Sequence, residues 1–191
     1  MGSELDSHAA RLLAKAALRD AAGDVAGAVA LCDEAIRAEE ALPRAHYMRG
    51  SFLLRLGRHA EARENLRRAV ELRGDYAEAH VNLGIALFAE GRAREAADAF
   101  RSAVRHGPSL PNAHLALGNA LFALGDPSGA AESYEEAARL EPAYAKAHEY
   151  AADAYLALGD PEMARRHADR LEALDGAAAS ALRERIGRGG G

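Results

Sequence analysis

The chain has 191 residues, of which 49% are hydrophobic, and this is enough apolar mass to form a packed core. Only 5% of the residues are aromatic and none is Trp, a composition that favours closely packed helices over a β-sandwich. The net charge of −5 argues against a nucleic-acid-binding protein, which would usually carry a basic surface, so we expect no nucleic-acid partner.

Cysteine usage and hydropathy exclude further classes. Cys32 is the only cysteine, so an intramolecular disulfide and metal sites built on paired thiolates are excluded. No segment approaches the roughly 18 uncharged apolar residues of a membrane span. The N-terminal stretch MGSELDSHAARLL lacks the apolar core of a secretory signal. The expected compartment is the cytoplasm, or the periplasm if a signal sequence has been removed.

The predicted elements follow a strict repeat along the chain. The segment AHVNLGIALFAEGRAREAADAF at 79–100 realigns with AHLALGNALFALGDPSGAAESY at 113–134, an offset of 34 residues. The same offset, without gaps, reaches 45–66 and 147–168, and a diverged copy begins near Ala9. After a flexible N-terminus at residues 1–8, we therefore predict five repeats, at 9–42, 43–76, 77–110, 111–144 and 145–178.

Each repeat is predicted to contain two helices joined by a tight turn. The fifteenth residue of every repeat is a glycine: Gly23, Gly57, Gly91, Gly125 and Gly159. A glycine between two helical patterns is typical of a helix C-terminus, where the chain needs a left-handed residue. Asp126-Pro127 and Asp160-Pro161 follow directly, as an N-cap and then Pro at the first helical position. Each repeat is therefore a helix-turn-helix hairpin.

Small residues recur in the second helix of the hairpins. The alanines at these places are Ala28, Ala62, Ala96, Ala130 and Ala164, followed by Ala35, Ala69, Ala103 and Ala137. Large residues lie between them at Leu66, Phe100 and Tyr134, with Cys32 in the first repeat. This pattern predicts close helix packing, with Cys32 as an inert core residue.

The C-terminal segment is predicted to close the array. AAASALRERIG at 177–187 gives one short helix, whose Leu182 and Ile186 can face the last repeat. Such a helix solvates the apolar face that a terminal repeat would otherwise expose. We expect residues 188–191 to be disordered.

The repeat resembles the tetratricopeptide repeat (TPR). The resemblance rests on the 34-residue period, the Leu83-Gly84 and Leu117-Gly118 pairs, the turn glycine, the spaced alanines and the closing Pro108 and Pro142. It covers roughly residues 9–176, although Lys15 and Arg49 replace the leucine of the pair in the first two repeats. It implies an all-α, right-handed α-solenoid of five stacked hairpins with a C-terminal capping helix. The composition is typical of a bacterial protein of this family.

Four histidines recur with the repeat, at His46, His80, His114 and His148. Equivalent side chains of stacked helices run parallel, about 8 to 10 Å apart, so they do not converge on one ion. We therefore interpret them as structural and expect no metal, no cofactor and no catalytic residue. No phosphate-binding loop or nucleophile motif is present either, so the chain is not expected to be an enzyme.

The resemblance implies a peptide-binding groove on the concave side, lined by the first helix of each repeat. Ligand contacts in the family come from defined positions of that helix. Here those positions hold Arg44, Tyr47, Met48, Ser51 and Arg55; Val81, Asn82, Ile85 and Phe88; Asn112, Leu115, Asn119 and Phe122; and Lys146, Glu149, Tyr150 and Asp153. They predict an apolar middle with two asparagines free to bond a ligand backbone, and oppositely charged ends. The alternative is that some of the apolar members belong to the core.

Three functions are compatible with such an array. The first is a non-catalytic scaffold or adaptor that binds a peptide or helix of an unidentified protein partner. The second is a self-assembling structural protein, that is, a homo-oligomer. The third is a regulatory partner of an enzyme or of a secretion or assembly complex. Fold-level analogy does not choose among partners.

Overall fold

The computed structural model describes residues 7–188, and within them the regular structure consists of eleven α-helices and no strand. Within the described residues, the first compact unit, unit 1, spans residues 7–106, and unit 2 spans residues 107–188. Unit 1 contains α1 (His8–Ala21), α2 (Val25–Ala38), α3 (Pro43–Arg55), α4 (His59–Leu72), α5 (Ala77–Ala89) and α6 (Ala93–His106). Unit 2 contains α7 (Pro111–Ala123), α8 (Pro127–Leu140), α9 (Ala145–Ala157), α10 (Pro161–Glu172) and α11 (Gly176–Arg188). The predicted all-α fold is confirmed.

Within each unit the helices pack as stacked hairpins. Unit 1 holds hairpins one to three (α1/α2, α3/α4 and α5/α6), with α2 packed on α3 and α4 on α5. Unit 2 holds hairpins four and five (α7/α8 and α9/α10), with α8 packed on α9 and α11 on α10. Parts of the predicted flexible N-terminus and tail, residues 1–6 and 189–191, lie outside the described residues.

The hairpin turns have the geometry that the sequence predicts. The five turn glycines have φ between +71° and +84°, a conformation that costs an L-residue a clash with its Cβ. The residue after each glycine donates its backbone N–H to the carbonyl five residues earlier, as Arg92 does to Leu87 at 3.0 Å. The carboxylates of Asp126 and Asp160 then cap α8 and α10.

The predicted small residues allow the close packing of the second helices. All nine repeat alanines are fully buried, and Cys32 is buried with them. Burial, with the Asp33 carboxylate nearby, raises the pKa of the Cys32 thiol to about 12, so the reactive thiolate does not form at neutral pH. Cys32 is a core residue, as predicted.

A second small position lies in each first helix, opposite the large residue of the second helix. A Cβ added to Gly84 would lie 2.4 Å from Cε1 of Phe100, and one added to Gly118 would lie 2.4 Å from Cε1 of Tyr134. In hairpin two, a Cβ on Gly50 would lie 2.5 Å from Cγ of Leu66. The equivalent pairs at the two ends are Ala16 with Cys32 and Ala152 with Ala168, all fully buried. Glycine therefore accompanies a large partner and alanine a small one.

Helix α11 completes unit 2 with an apolar stripe. Leu182 and Ile186 are buried against a cluster that includes Ala152, Ala168 and Leu171 of hairpin five. Asp175 caps the helix by accepting the N–H of Ala178. Arg183 forms ion pairs with Asp169 and Glu172 of α10 and so fixes the helix at its outer edge.

Candidate functional site

The first helices of unit 1 form one continuous surface, because α3 contacts both α1 and α5. We call the exposed and half-buried side chains of these helices the first-helix face of unit 1. On α5 the exposed large apolar members of this face are Ile85 and Phe88, which are 42% and 40% exposed. They are three residues apart and so lie on the same side of the helix. Half-buried Met48 and Leu54 lie on the neighbouring helix α3.

A chain of hydrogen bonds crosses this face. Asn82 donates from Nδ2 to Ser51 Oγ at 2.8 Å, and Ser51 donates to the carbonyl of Tyr47 at 2.9 Å. The sequence analysis predicted that the side-chain amide of Asn82, with its carbonyl oxygen and both amide hydrogens, is free to bond a ligand. The structure corrects this: only the Asn82 Oδ1 acceptor and its second amide hydrogen are left for one. The bond to Ser51 instead fixes the rotamer of the asparagine.

An aromatic and a charged contact flank that chain. The ring of Tyr47 lies 4.7 Å from the ring of Tyr76, and the Arg73 guanidinium lies 3.3 Å above the Tyr76 ring. Arg44 is exposed, whereas Arg55 is paired with Asp20 of hairpin one. Arg55 is therefore not the free charge that the sequence predicted, because a carboxylate from one repeat earlier neutralises it.

The remaining predicted residues lie on the first helices of unit 2, α7 and α9. Phe122 is 41% exposed, and Asn112 and Lys146 are exposed as well. Asn119 accepts from the Tyr134 hydroxyl at 2.8 Å, so one of the two acceptor sites on its Oδ1 is already used. The Tyr150 ring packs 5.6 Å from the Tyr134 ring and is half-buried.

The two acidic residues of the predicted site, Glu149 and Asp153, are paired within unit 2. Arg185 of α11 lies 3.0 Å from Asp153 and 4.0 Å from Glu149. Burial raises the pKa of Asp153 even though Arg185 favours its charged form. The prediction of an acidic end open to a ligand is corrected here, because the C-terminal helix already supplies the counter-charge.

Two predicted residues belong to the core. Val81 is 4% exposed and Leu115 is 8% exposed, so neither is accessible to a ligand. Each lies on the side of its first helix that packs into its own unit. For these two residues the alternative interpretation is therefore the right one: they belong to the core and not to a ligand-binding surface.

The recurring histidines join the first helices of hairpins two to five to the loops before them. Nε2 of His46, His80, His114 and His148 lies 2.8 to 3.1 Å from the carbonyl oxygen six residues earlier, that of Glu40, Gly74, Pro108 and Pro142 respectively. Each Nε2 must carry a hydrogen to donate to that carbonyl. These bonds agree with the structural interpretation of the four histidines. Within residues 7–188 no three His, Cys, Asp or Glu side chains converge as metal ligands would.

Sequence reasoning did not identify the residues that neutralise the charged side chains of the candidate site. Asp20 and Arg185 are absent from the predicted set, yet they pair with Arg55 and with Asp153. A signal for them was present, because Asp20 is 35 residues before Arg55 and Arg185 is 32 residues after Asp153. Both separations are close to one repeat period, which brings such residues onto neighbouring helices.

Comparison with known proteins agrees with this geometry. Tetratricopeptide repeat models of three kinds match residues 13–73 and 47–111, 111–144, and 145–170. The chain belongs to the tetratricopeptide repeat family. Repeats of this family are interaction modules and are generally not catalytic. A comparison with curated proteins gave no match.

Several solved structures share the fold. MamA from Desulfovibrio magneticus RS-1 is 21% identical, with a TM-score of 0.79 over 90% of this chain and 97% of that one. YrrB, described as a TPR protein with an unusual peptide-binding site, is 18% identical, with a TM-score of 0.77 over 92% of both chains. TTC0263 of Thermus thermophilus is 22% identical, with a TM-score of 0.68 over 95% of this chain and 98% of that one. These likenesses support the fold. Of the helices within residues 7–188, none is long and apolar enough to cross a membrane.

Proposed function

We propose that the chain is a non-catalytic scaffold that binds a peptide or helix of a partner protein on the first-helix face of unit 1. The observation that carries the proposal is the exposure of Ile85 and Phe88, two large apolar side chains on one side of α5. Burying a large apolar side chain fully contributes about 1.5 to 3 kcal/mol, so covering this pair is a substantial driving force for association.

The neighbours of the pair suit an amphipathic ligand. Asn82 keeps a carbonyl oxygen and one amide hydrogen for a ligand backbone, and its rotamer is already fixed by Ser51. Fixing a side chain before binding lowers the entropy lost in the complex. Exposed Arg44 and Glu78 lie at the N-terminal ends of α3 and α5. An apolar patch bordered by such groups fits a partner helix that presents apolar residues at i and i+3 or i+4.

The exposed pair gives a direct test. Ile85→Ser with Phe88→Ser is expected to weaken partner binding about 30-fold or more, since buried apolar anchors each contribute on the order of 1 to 2 kcal/mol. Affinity capture from the native host, followed by mass spectrometry, identifies the partner, and titration calorimetry with the purified partner gives the affinity.

A matched control separates this face from general surface apolarity. Leu56 is 41% exposed, as much as the pair, but it lies at the turn of hairpin two. Leu56→Ser should bind as the parent chain does. The proposal is wrong if the double variant, with an unchanged circular dichroism melt, still captures every partner at the parent affinity.

Self-assembly is the alternative function, and one observation favours it. Leu18 of α1 is 72% exposed, whereas its equivalents in the later hairpins, Phe52, Ala86, Ala120 and Ala154, are buried. Helices α3 and α5 pack against the second helix of the preceding hairpin, and within residues 7–188 α1 has no preceding hairpin. This edge is where a second copy would add.

The alternative has its own test. If the chain self-assembles through α1, sedimentation velocity at about 100 µM should show a dimer or larger species. Leu18→Asp should then convert that species to monomer, because the new carboxylate would be desolvated at the contact without an opposite charge to pair with it. A parent chain that is monomeric at that concentration excludes this alternative.

A further inference from the structure

A buried polar cluster ties hairpin five together and joins it to hairpin four within unit 2. Nδ1 of His148 on α9 lies 3.3 Å from Nδ1 of His167 on α10, and both rings are buried. Nε2 of His167 lies 3.7 Å from Oε1 of Glu135 on α8. The same Glu135 oxygen accepts the Tyr155 hydroxyl at 2.8 Å, and the Tyr155 ring stacks on His167.

The hydrogen bonds determine how many protons the two imidazoles can hold. Nε2 of His148 must donate to the carbonyl of Pro142, so a neutral His148 has a bare Nδ1. His167 must then donate its Nδ1–H to His148 across the 3.3 Å contact. One further proton fits on Nε2 of His167, beside the Glu135 carboxylate. A second would place N–H against N–H, with two positive charges in contact.

We propose that the His148–His167 pair is a proton-sensitive latch that keeps hairpin five closed at neutral pH and opens it on mild acidification. The pair accepts at most one proton while closed. Once hairpin five opens, both rings are hydrated, and a hydrated imidazole has an ordinary pKa of about 6.5. Acid therefore favours the open form.

The latch is specific to hairpin five. The position that His167 occupies is held by Leu31, Asn65, Ala99 and Ser133 in the other hairpins, so within residues 7–188 no other recurring histidine faces an imidazole at that position. His80 of hairpin three instead stacks on His106, an exposed ring at the C-terminal end of α6, with the ring centroids 5.7 Å apart. The clearest comparison is hairpin four, where His114 bonds to the carbonyl of Pro108 and the place of His167 is taken by Ser133.

Charged groups of both signs surround the pair. A groove of about 450 Å³ leads to the two histidines. Its titratable and charged lining comprises Glu132, Glu135, Glu136 and Arg139 of α8, and Arg166 and Arg170 of α10. On α9, Tyr155 contacts His167, and on α11, Arg183 is engaged with Asp169 and Glu172. The carboxylate nearest to the pair, Glu135, favours the first proton, whereas Arg170 disfavours it.

The direction of the shift agrees with the geometry. Burial, and then the neighbouring His148, lower the pKa of His167 below its usual value, in spite of the Glu135 carboxylate. The unfolded or open form therefore binds protons at a higher pH than the closed form does. The stabilisation is complete above the unfolded pKa of about 6.5 and is lost as the pH falls from there towards the folded pKa.

Hydrogen exchange on the full chain tests the latch. After correction for intrinsic rates, amides of residues 145–172 should lose protection between pH 6.5 and 5.5, by up to about tenfold per pH unit for each proton that the open form binds in excess of the closed form. Amides of α3 to α6 should change less. In His167→Ser, which carries the residue found in hairpin four, the pH-dependent loss at 145–172 should fall to half of the parent's or less.

The control variant is His8→Ser. It removes an exposed histidine from α1 and should behave as the parent does. Asp153, whose pKa is raised, is retained in all variants, so its titration cancels in the comparison. The proposal is overturned if the parent and His167→Ser lose protection in parallel.

A second measurement needs no variant. Ring-nitrogen chemical shifts of the ¹⁵N-labelled parent chain report the protonation of each histidine directly. The two buried rings should take up no more than one proton between them before hairpin five loses its native amide shifts. Two independent titrations near pH 6.5 in the intact fold would contradict the latch.

Discussion

Gly84→Ala is expected to destabilise the chain by about 1 to 3 kcal/mol, although alanine is intrinsically the better helix former by about 1 kcal/mol. The new methyl group would lie 2.4 Å from Cε1, 2.6 Å from Cδ1 and 2.8 Å from Cζ of Phe100. Phe100 is 2% exposed, so its ring has no solvent space into which it can move. Overpacking of the hairpin interior therefore outweighs helix propensity. The midpoint of urea unfolding measures the change.

The partner substitution turns this prediction into a double-mutant cycle. Phe100→Cys alone should cost about 3 kcal/mol through the cavity that it leaves. Combined with Gly84→Ala, it recreates the alanine and cysteine that hairpin one holds at Ala16 and Cys32. We expect the double variant to be more stable than the sum of the single effects predicts, by about 0.5 to 3 kcal/mol. Simple additivity would mean that the two side chains do not limit each other.

Leu182→Asp is the second large effect, with an expected loss of about 3 kcal/mol or more from the stability of unit 2, since it buries an unpaired charge. Leu182 is fully buried between α11 and hairpin five. Detaching α11 would also expose the apolar surface of Ala152, Ala168 and Leu171. Thermal unfolding and limited proteolysis at Arg183 and Arg185 measure the loss.

The adjacent residue provides the control. Ala181 is exposed on the same helix, so Ala181→Asp adds the same charge without burying it and should change the stability by no more than about 0.5 kcal/mol. If both variants melt and resist protease as the parent chain does, α11 is not held by its apolar stripe.

Periodicity predicted the fold because backbone requirements repeat with the chain. A turn position with left-handed backbone strongly favours glycine, and a close helix crossing favours alanine. The residue types at Gly125 and Ala130 therefore indicate the backbone conformation and the packing at those positions directly. The hairpins, their turns and the buried Cys32 were predicted on this basis. In contrast, the dependence of Gly84 on Phe100 joins two positions sixteen residues apart and became visible only when their side chains were in contact.

The candidate site was less predictable than the fold. Its residues were taken from family positions, and a position does not specify how far a side chain projects from the helix. Val81 and Leu115 point into the core for this reason, whereas Ile85 and Phe88 are exposed. The charges were misjudged on other grounds, because Arg55 and Asp153 were assessed without the neighbouring helices that carry Asp20 and Arg185.

The four histidine hydrogen bonds bear on how repeats can be added to such an array or deleted from it. Each acceptor carbonyl belongs to the loop that precedes the histidine's own hairpin, always six residues upstream. Because the acceptor is a backbone carbonyl, which every residue supplies, the exchange of a whole repeat restores an acceptor six residues upstream wherever the cut falls. An insertion or deletion between Gly74 and His80 would instead move that carbonyl away from the imidazole. The histidine bonds therefore constrain the length of the loop between hairpins and leave free the point at which a repeat is cut.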